Sequence, residues 1–227
     1  MSLSPRPPRA LAWAGVVGPV LFGGVFTVEG WLRPGYDASG MFVSALSLGP
    51  RGFVQIINFL VFGVLLLAFS RAVAAGFPEG RASRAGPKLI AVIGACILAS
   101  GPAVMDPAGT PPAAMSAHGI LHQLFGAVVF TCMPASCFVF RRRFRADPAW
   151  QSLAPWTLAA GTAIVAGVVL LKLGQRPPVE ALSAMAHWVG AFQRLALVTW
   201  LVWLFTFAVG LLRRSRSVVG ARIVPIH

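Results

Sequence analysis

Acidic side chains are what this sequence has least of. Only six Asp and Glu residues stand against nineteen Lys and Arg in 227 residues, and Lys88 and Lys172 are the only lysines. Charged residues of both signs make up 11% of the chain, well below the ~25% of a soluble domain, and 57% is hydrophobic. That excludes a water-soluble globular fold, and a mean hydropathy of +0.77 agrees. Cysteine is scarce too. Cys96, Cys132 and Cys137 sit in apolar runs without CxxC or histidine spacing, which leaves no disulfide framework or zinc knuckle, only small residues for helix packing. Walker loops, dinucleotide fingerprints and nucleophile elbows are also missing. A net charge of +13 would point to nucleic acid in a soluble protein. In a membrane protein the same basic residues report which side each loop faces, so no nucleic-acid partner is expected.

What the chain does have is apolar length. A membrane-crossing helix needs about 20 mostly apolar residues to span a ~30 Å hydrocarbon core. Six stretches qualify, at 11–32, 52–75, 88–105, 117–140, 153–173 and 187–212. The third is marginal and carries Gly94, Gly101 and Pro102, while Pro19 and Pro134 predict kinks in the first and fourth. The first run reads as a retained anchor, because it is too long for a signal peptide and no A-x-A site follows it. The expected fold is all-α: a single six-span bundle over 1–227, ending in a basic cytoplasmic tail at 213–227.

Orientation follows from the basic residues. With the N-terminus in the cytoplasm, fourteen of the nineteen fall on inner segments, Arg141, Arg142, Arg143 and Arg145 among them, and five fall outside. The positive-inside rule then puts both termini in the cytoplasm of a cell-membrane protein. The RRRFR run at 141–145 reads as an anchor touching anionic lipid head groups. Trp31, Trp150, Trp156 and Trp188 fall near span ends, where aromatic belts form.

Polar side chains then collect at the opposite, outer end: Glu29, Asp37, Ser44, Ser47, Gln55, Asn58, Asp106, His118, His122, His187, Gln193 and Arg194. At ~1.5 Å of rise per residue, Asn58, His122 and Arg194 lie roughly 7–11 Å below the outer surface. Polar groups at that depth face a bundle interior or a wet cavity. A polar pocket open to the non-cytoplasmic side is therefore expected, with Ser47, Asn58, Asp106, His118, His122 and Arg194 as candidate lining. Segment 35–52 is too short to span and too apolar for a solvated loop, so a short interfacial helix capping the outer mouth fits it.

Each candidate also has a plainer role. His118 and His122 in HGILH are one helical turn apart, a spacing that suits zinc. Asp106 or His187 would be the third ligand. The same spacing serves two histidines that only hydrogen-bond across helices, with Asp106 fixing one tautomer. Glu29 and Arg33 are placed for a local ion pair, and Gln55 with Asn58 for interhelical hydrogen bonds. Arg194 is the hardest to leave unassigned, because an arginine so deep needs a carboxylate, carbonyls or an anionic ligand.

Four segments carry a family resemblance: GYD…SALSLGP-RG-F-x-Q-x-x-NF over 35–59, Asp106-Pro107 after the third run, HGILH at 118–122 and FRRRF at 140–144. Together they make the chain resemble the prokaryotic integral membrane family known as domain of unknown function 998. The resemblance implies a six-helix membrane fold and no particular reaction. It also implies a Gln-Arg pair near the last span, for which Gln175-Arg176 and Gln193-Arg194 both qualify. Two function classes stay open. One is a protein that binds or moves a small or lipid-like ligand in the outward pocket, with no cofactor. The other is an intramembrane hydrolase acting on a lipid with zinc on Asp106, His118 and His122. With only one HxxxH pair and no glutamate near it, the sequence favours the first.

Overall fold

The structure is a computed structural model that describes residues 8–175 and 183–220. Arg6, Arg176 and Arg222, three of the residues in the charge argument, lie outside them, as does the tail beyond residue 220. Among the described residues seven α-helices form in order: α1 (Arg9–Leu32), α2 (Gly52–Gly76), α3 (Ala85–Ser100), α4 (Ala117–Ala146), α5 (Ala154–Gly174), the one-turn α6 (Ser183–Ala186) and α7 (Val189–Gly220). Among the described residues there is no strand. Five of the helices are long and apolar enough to cross a membrane, and α3 is a shorter apolar helix. Its 16 residues end at Gly101-Pro102, where proline removes a donor and glycine lowers helix propensity. By contrast α4 runs on through RRRFR to Ala146, since arginine is a good helix former whose head can reach outward while its stem stays packed.

The long helices close a ring. α1 packs on α2, α2 on α3, α3 on α4, α4 on α5, α5 on α7, and α7 returns to α1. Small residues set the close approaches. A Cβ on Gly63 of α2 would lie 2.7 Å from the backbone of Leu98 in α3. One on Gly167 of α5 would lie 3.0 Å from the Ala196 backbone in α7. Gly161 of α5 sits equally close to Cys137 and Phe138 of α4. Outward faces are apolar as well, with Val17, Val20, Leu124 and Val169 exposed, as lipid-facing surfaces are.

At the end where α2 and α4 finish, the ring is filled by an aromatic cluster. Phe144 stacks on Trp150 with ring centroids 5.1 Å apart, and Phe140 meets Phe207 at 4.7 Å. Trp200 donates to Ser136 Oγ at 3.1 Å, so a buried indole N–H is satisfied within the bundle. Trp150 is only 5% exposed. It joins this cluster instead of a belt, because Phe77, Phe144 and Phe207 surround it on three sides. Trp31 and Trp188 do project from the opposite end, 86% and 55% exposed.

Candidate functional site

The connection from α1 to α2 builds a lid over that opposite end. Buried Glu29 is its root: Arg33 donates to its Oε1 at 3.1 Å, and Arg51 meets both oxygens at 3.0 and 2.7 Å. Glu29 thus pairs with Arg33 as its spacing suggested, and also with an arginine 22 residues away. That hydrogen-bonded carboxylate holds Arg51 above its usual arginine pKa. Asp37 folds its carboxylate onto the N–H groups of Ser39 and Gly40, an Asx turn. A one-turn 3-10 helix, Val43–Ser47, follows between α1 and α2. Within it Ser47 Oγ donates to the Ser44 carbonyl at 2.6 Å, which satisfies the buried hydroxyl locally.

The first two turns of α7 grip the lid. Arg194 donates to the carbonyls of Ala38 at 2.6 Å and Met41 at 2.8 Å, and to the Tyr36 hydroxyl, which donates to the Phe42 carbonyl at 2.9 Å. Burial pushes the Tyr36 phenol above its ordinary pKa, although Arg194 beside it pulls the other way. Gln193 Oε1 accepts the Val43 N–H at 2.8 Å, and the Ala191 N–H donates to the Ser39 carbonyl at 2.8 Å. Only glycine fits at 190, where a Cβ would lie 2.4 Å from the Met41 carbonyl oxygen. Arg194 therefore finds the carbonyls that an arginine at this depth requires.

Beneath the lid lies a cavity of about 600 Å³. Its walls are Phe22 of α1, Phe59 of α2, Ile97 of α3, Val129 and Phe130 of α4, Val168 and Leu171 of α5, and Leu197 of α7. Ser44, Ser100, Asp106, His122, Gln123, Lys172, Gln175 and Gln193 supply polar groups. Of the six side chains expected to line a pocket, Asp106 and His122 do so. Asn58 instead donates across to the Phe22 carbonyl of α1 at 3.2 Å and to Gln55 at 3.3 Å. Ser47 and Arg194 serve the lid, and His118 and His187 are exposed at the surface.

The turn between α3 and α4 sets the polar corner of this cavity. Asp106 Oδ2 accepts the Ser116 N–H at 2.9 Å, and Ser116 Oγ caps α4 by accepting the Gly119 N–H at 3.0 Å. The carboxylate rests against Gly119 so closely that a Cβ there would fall 2.0 Å from Oδ2. His122 Nδ1 lies 2.7 Å from the Ala103 carbonyl oxygen, and its ring meets the Phe59 ring edge-on at 6.0 Å. Among the described residues no three His, Cys, Asp or Glu side chains come together as a metal ligand set.

Sequence reasoning missed Lys172, Gln123 and Gln175 as lining residues. Lys172 falls in the last turn of α5, where a cation is also favoured by the helix dipole, so its position alone gave no signal. Gly119 did leave one, a glycine standing at the third helical position after a capping serine with nothing in the helix to require it.

The chain belongs to a family described as "Protein of unknown function (DUF998)", whose model matches residues 16–210. No curated protein and no solved structure matches it.

Proposed function

We propose that this protein is a six-span protein of the cell membrane, both termini cytoplasmic, whose outer cavity binds or moves a small or lipid-like ligand. The observation that carries the reading is the cavity itself. At about 600 Å³ it falls in the ~300–1,000 Å³ range of ligand sites, and it has their make-up of apolar walls with a few polar groups at one end. The proposal counts α3 as the sixth span; a local thinning of the bilayer accommodates its shorter length. It also puts the Val43–Ser47 turn at the membrane interface. The charge pattern supports the orientation. Arg71, Arg81, Arg84 and Lys88 fall where α2 ends and α3 begins and Arg141, Arg142, Arg143 and Arg145 where α4 ends, against Arg33, Arg51, Lys172 and Arg194 at the other end. Arg141, Arg142 and Arg145 then meet anionic head groups of the inner leaflet.

The test is a plug. Gly126 lines the cavity, and a Cβ built on it meets nothing within 4 Å, so Gly126→Trp starts its side chain without a clash and brings an indole into the space. Organic extracts of purified wild type and Gly126→Trp are compared by mass spectrometry. A compound near one per chain in wild type and absent from the variant supports the reading. Identical extracts overturn it.

A further inference from the structure

The burial of α4 changes sharply along its length. Between residues 117 and 132 only Gly119 and Val129 are buried, whereas Met133, Ser136, Cys137, Phe140 and Phe144 are buried beyond. Its contact with α5 through Gly161 belongs to that second half. Among the residues lining the cavity, those that are also exposed all belong to α4 or to the last turn and end of α5: Gln123, Leu124, Ala127 and Thr131 on one side, Lys172 and Gln175 on the other, with Ile120 above. The cavity therefore opens sideways, between the outer halves of these two helices. From Ala117 to Thr131 the gap extends about 21 Å along α4 at ~1.5 Å per residue, which is well into a ~30 Å hydrocarbon core. An opening at that depth faces lipid tails, and its occupant enters from them.

Charge fixes the kind of lipid. Among the described residues, Asp106, in the turn after α3, and Lys172, in the last turn of α5, are the one acid and the one lysine or arginine lining the cavity. Both positions are at the end of the bundle nearest the lid. We infer that the cavity takes a zwitterionic phospholipid sideways from the outer leaflet, its ammonium toward Asp106, its phosphate toward Lys172, and one acyl chain against Phe59, Ile97 and Leu197. An anionic lipid would satisfy Lys172 and leave a carboxylate beside its head group. A neutral one would leave Lys172 without a counter-charge and Asp106 with only the Ser116 N–H, which is costly near the hydrocarbon boundary. This inference rests on the pocket reading above and names its ligand.

Native mass spectrometry of the full chain, released from nanodiscs of equal phosphatidylethanolamine and phosphatidylglycerol, tests it. Wild type should retain one phosphatidylethanolamine per chain, enriched about tenfold over phosphatidylglycerol, a free-energy difference of about 1.4 kcal/mol. Asp106→Asn should reverse the preference toward phosphatidylglycerol, and Lys172→Gln should lose retention of both. Gly126→Trp should retain none, while Gly24→Trp, at an exposed glycine of α1 whose Cβ also meets nothing, should behave as wild type. Equal retention of the two lipids, a preference unmoved by the Asp106 and Lys172 changes, or no retained lipid from wild type overturns the inference. A wild-type ligand that is displaced by the plug but is not a zwitterionic phospholipid overturns the inference alone and leaves the pocket standing.

Discussion

His122 Nδ1 points at the carbonyl oxygen of Ala103, 2.7 Å away, and so fastens α4 to the turn that follows α3. A carbonyl can only accept, so the proton sits on Nδ1 and the lone pair on Nε2. That leaves Nε2 unprotonated, as in a metal-bound histidine, and Asp106, the other group at this corner, accepts the Ser116 N–H through Oδ2. Among the described residues, however, no three His, Cys, Asp or Glu side chains gather as a ligand set.

Metal content checks the consequence. Purified protein should hold zinc far below one equivalent, and His118→Ala should leave that unchanged. His122→Ala should lower thermal stability, because the Ala103 carbonyl loses its partner, at a cost of about 1–3 kcal/mol. Stoichiometric zinc that is lost in both variants would instead establish a metal centre.

Arg194 gives a second expectation. Its guanidinium holds two lid carbonyls and the Tyr36 hydroxyl, and lysine cannot reproduce that planar fork. Arg194→Lys and Arg194→Ala should both loosen the 36–42 segment, read as faster hydrogen exchange at Met41 and Val43 with little change in the aromatic cluster at the far end. Uniform exchange changes across the bundle would contradict a local clamp.

Gly63 gives a third. A side chain there meets the Leu98 backbone, so α2 and α3 must separate to admit it. Gly63→Ala should cut the yield of monodisperse protein and lower its melting temperature by several degrees, while Gly24→Ala, facing open space, should do neither.

Much of this architecture was legible in the sequence, and the reason is local. Apolar runs long enough to cross a bilayer show themselves without reference to partners, and the starts of α2 at Gly52 and α4 at Ala117 coincide with the starts of their runs. Glu29 with Arg33 was legible for the same reason, being one helical turn apart. What could not be read was pairing at a distance. Arg194 finds its carbonyls more than 150 residues away, and Asn58 finds Phe22 36 residues away. Depth alone made Asn58 and Arg194 pocket candidates, because depth does not say which way a side chain turns. Lys172 carried the opposite problem, since a lysine near a helix C-terminus has an ordinary explanation and its facing side is set by how α5 packs on α4 and α7.

The most direct measurement of which side the cavity end of the bundle faces uses two positions on one helix. In a background with Cys96, Cys132 and Cys137 replaced by serine, Ala117→Cys at the exposed start of α4 and Arg145→Cys lie about 42 Å apart along the helix at ~1.5 Å per residue. Each is treated with a membrane-impermeant maleimide in intact cells and again after permeabilisation. The account predicts that Ala117→Cys reacts in intact cells and Arg145→Cys only after permeabilisation. Labelling of Arg145→Cys in intact cells, with Ala117→Cys reacting only after permeabilisation, would turn the cavity toward the cytoplasm and contradict the account.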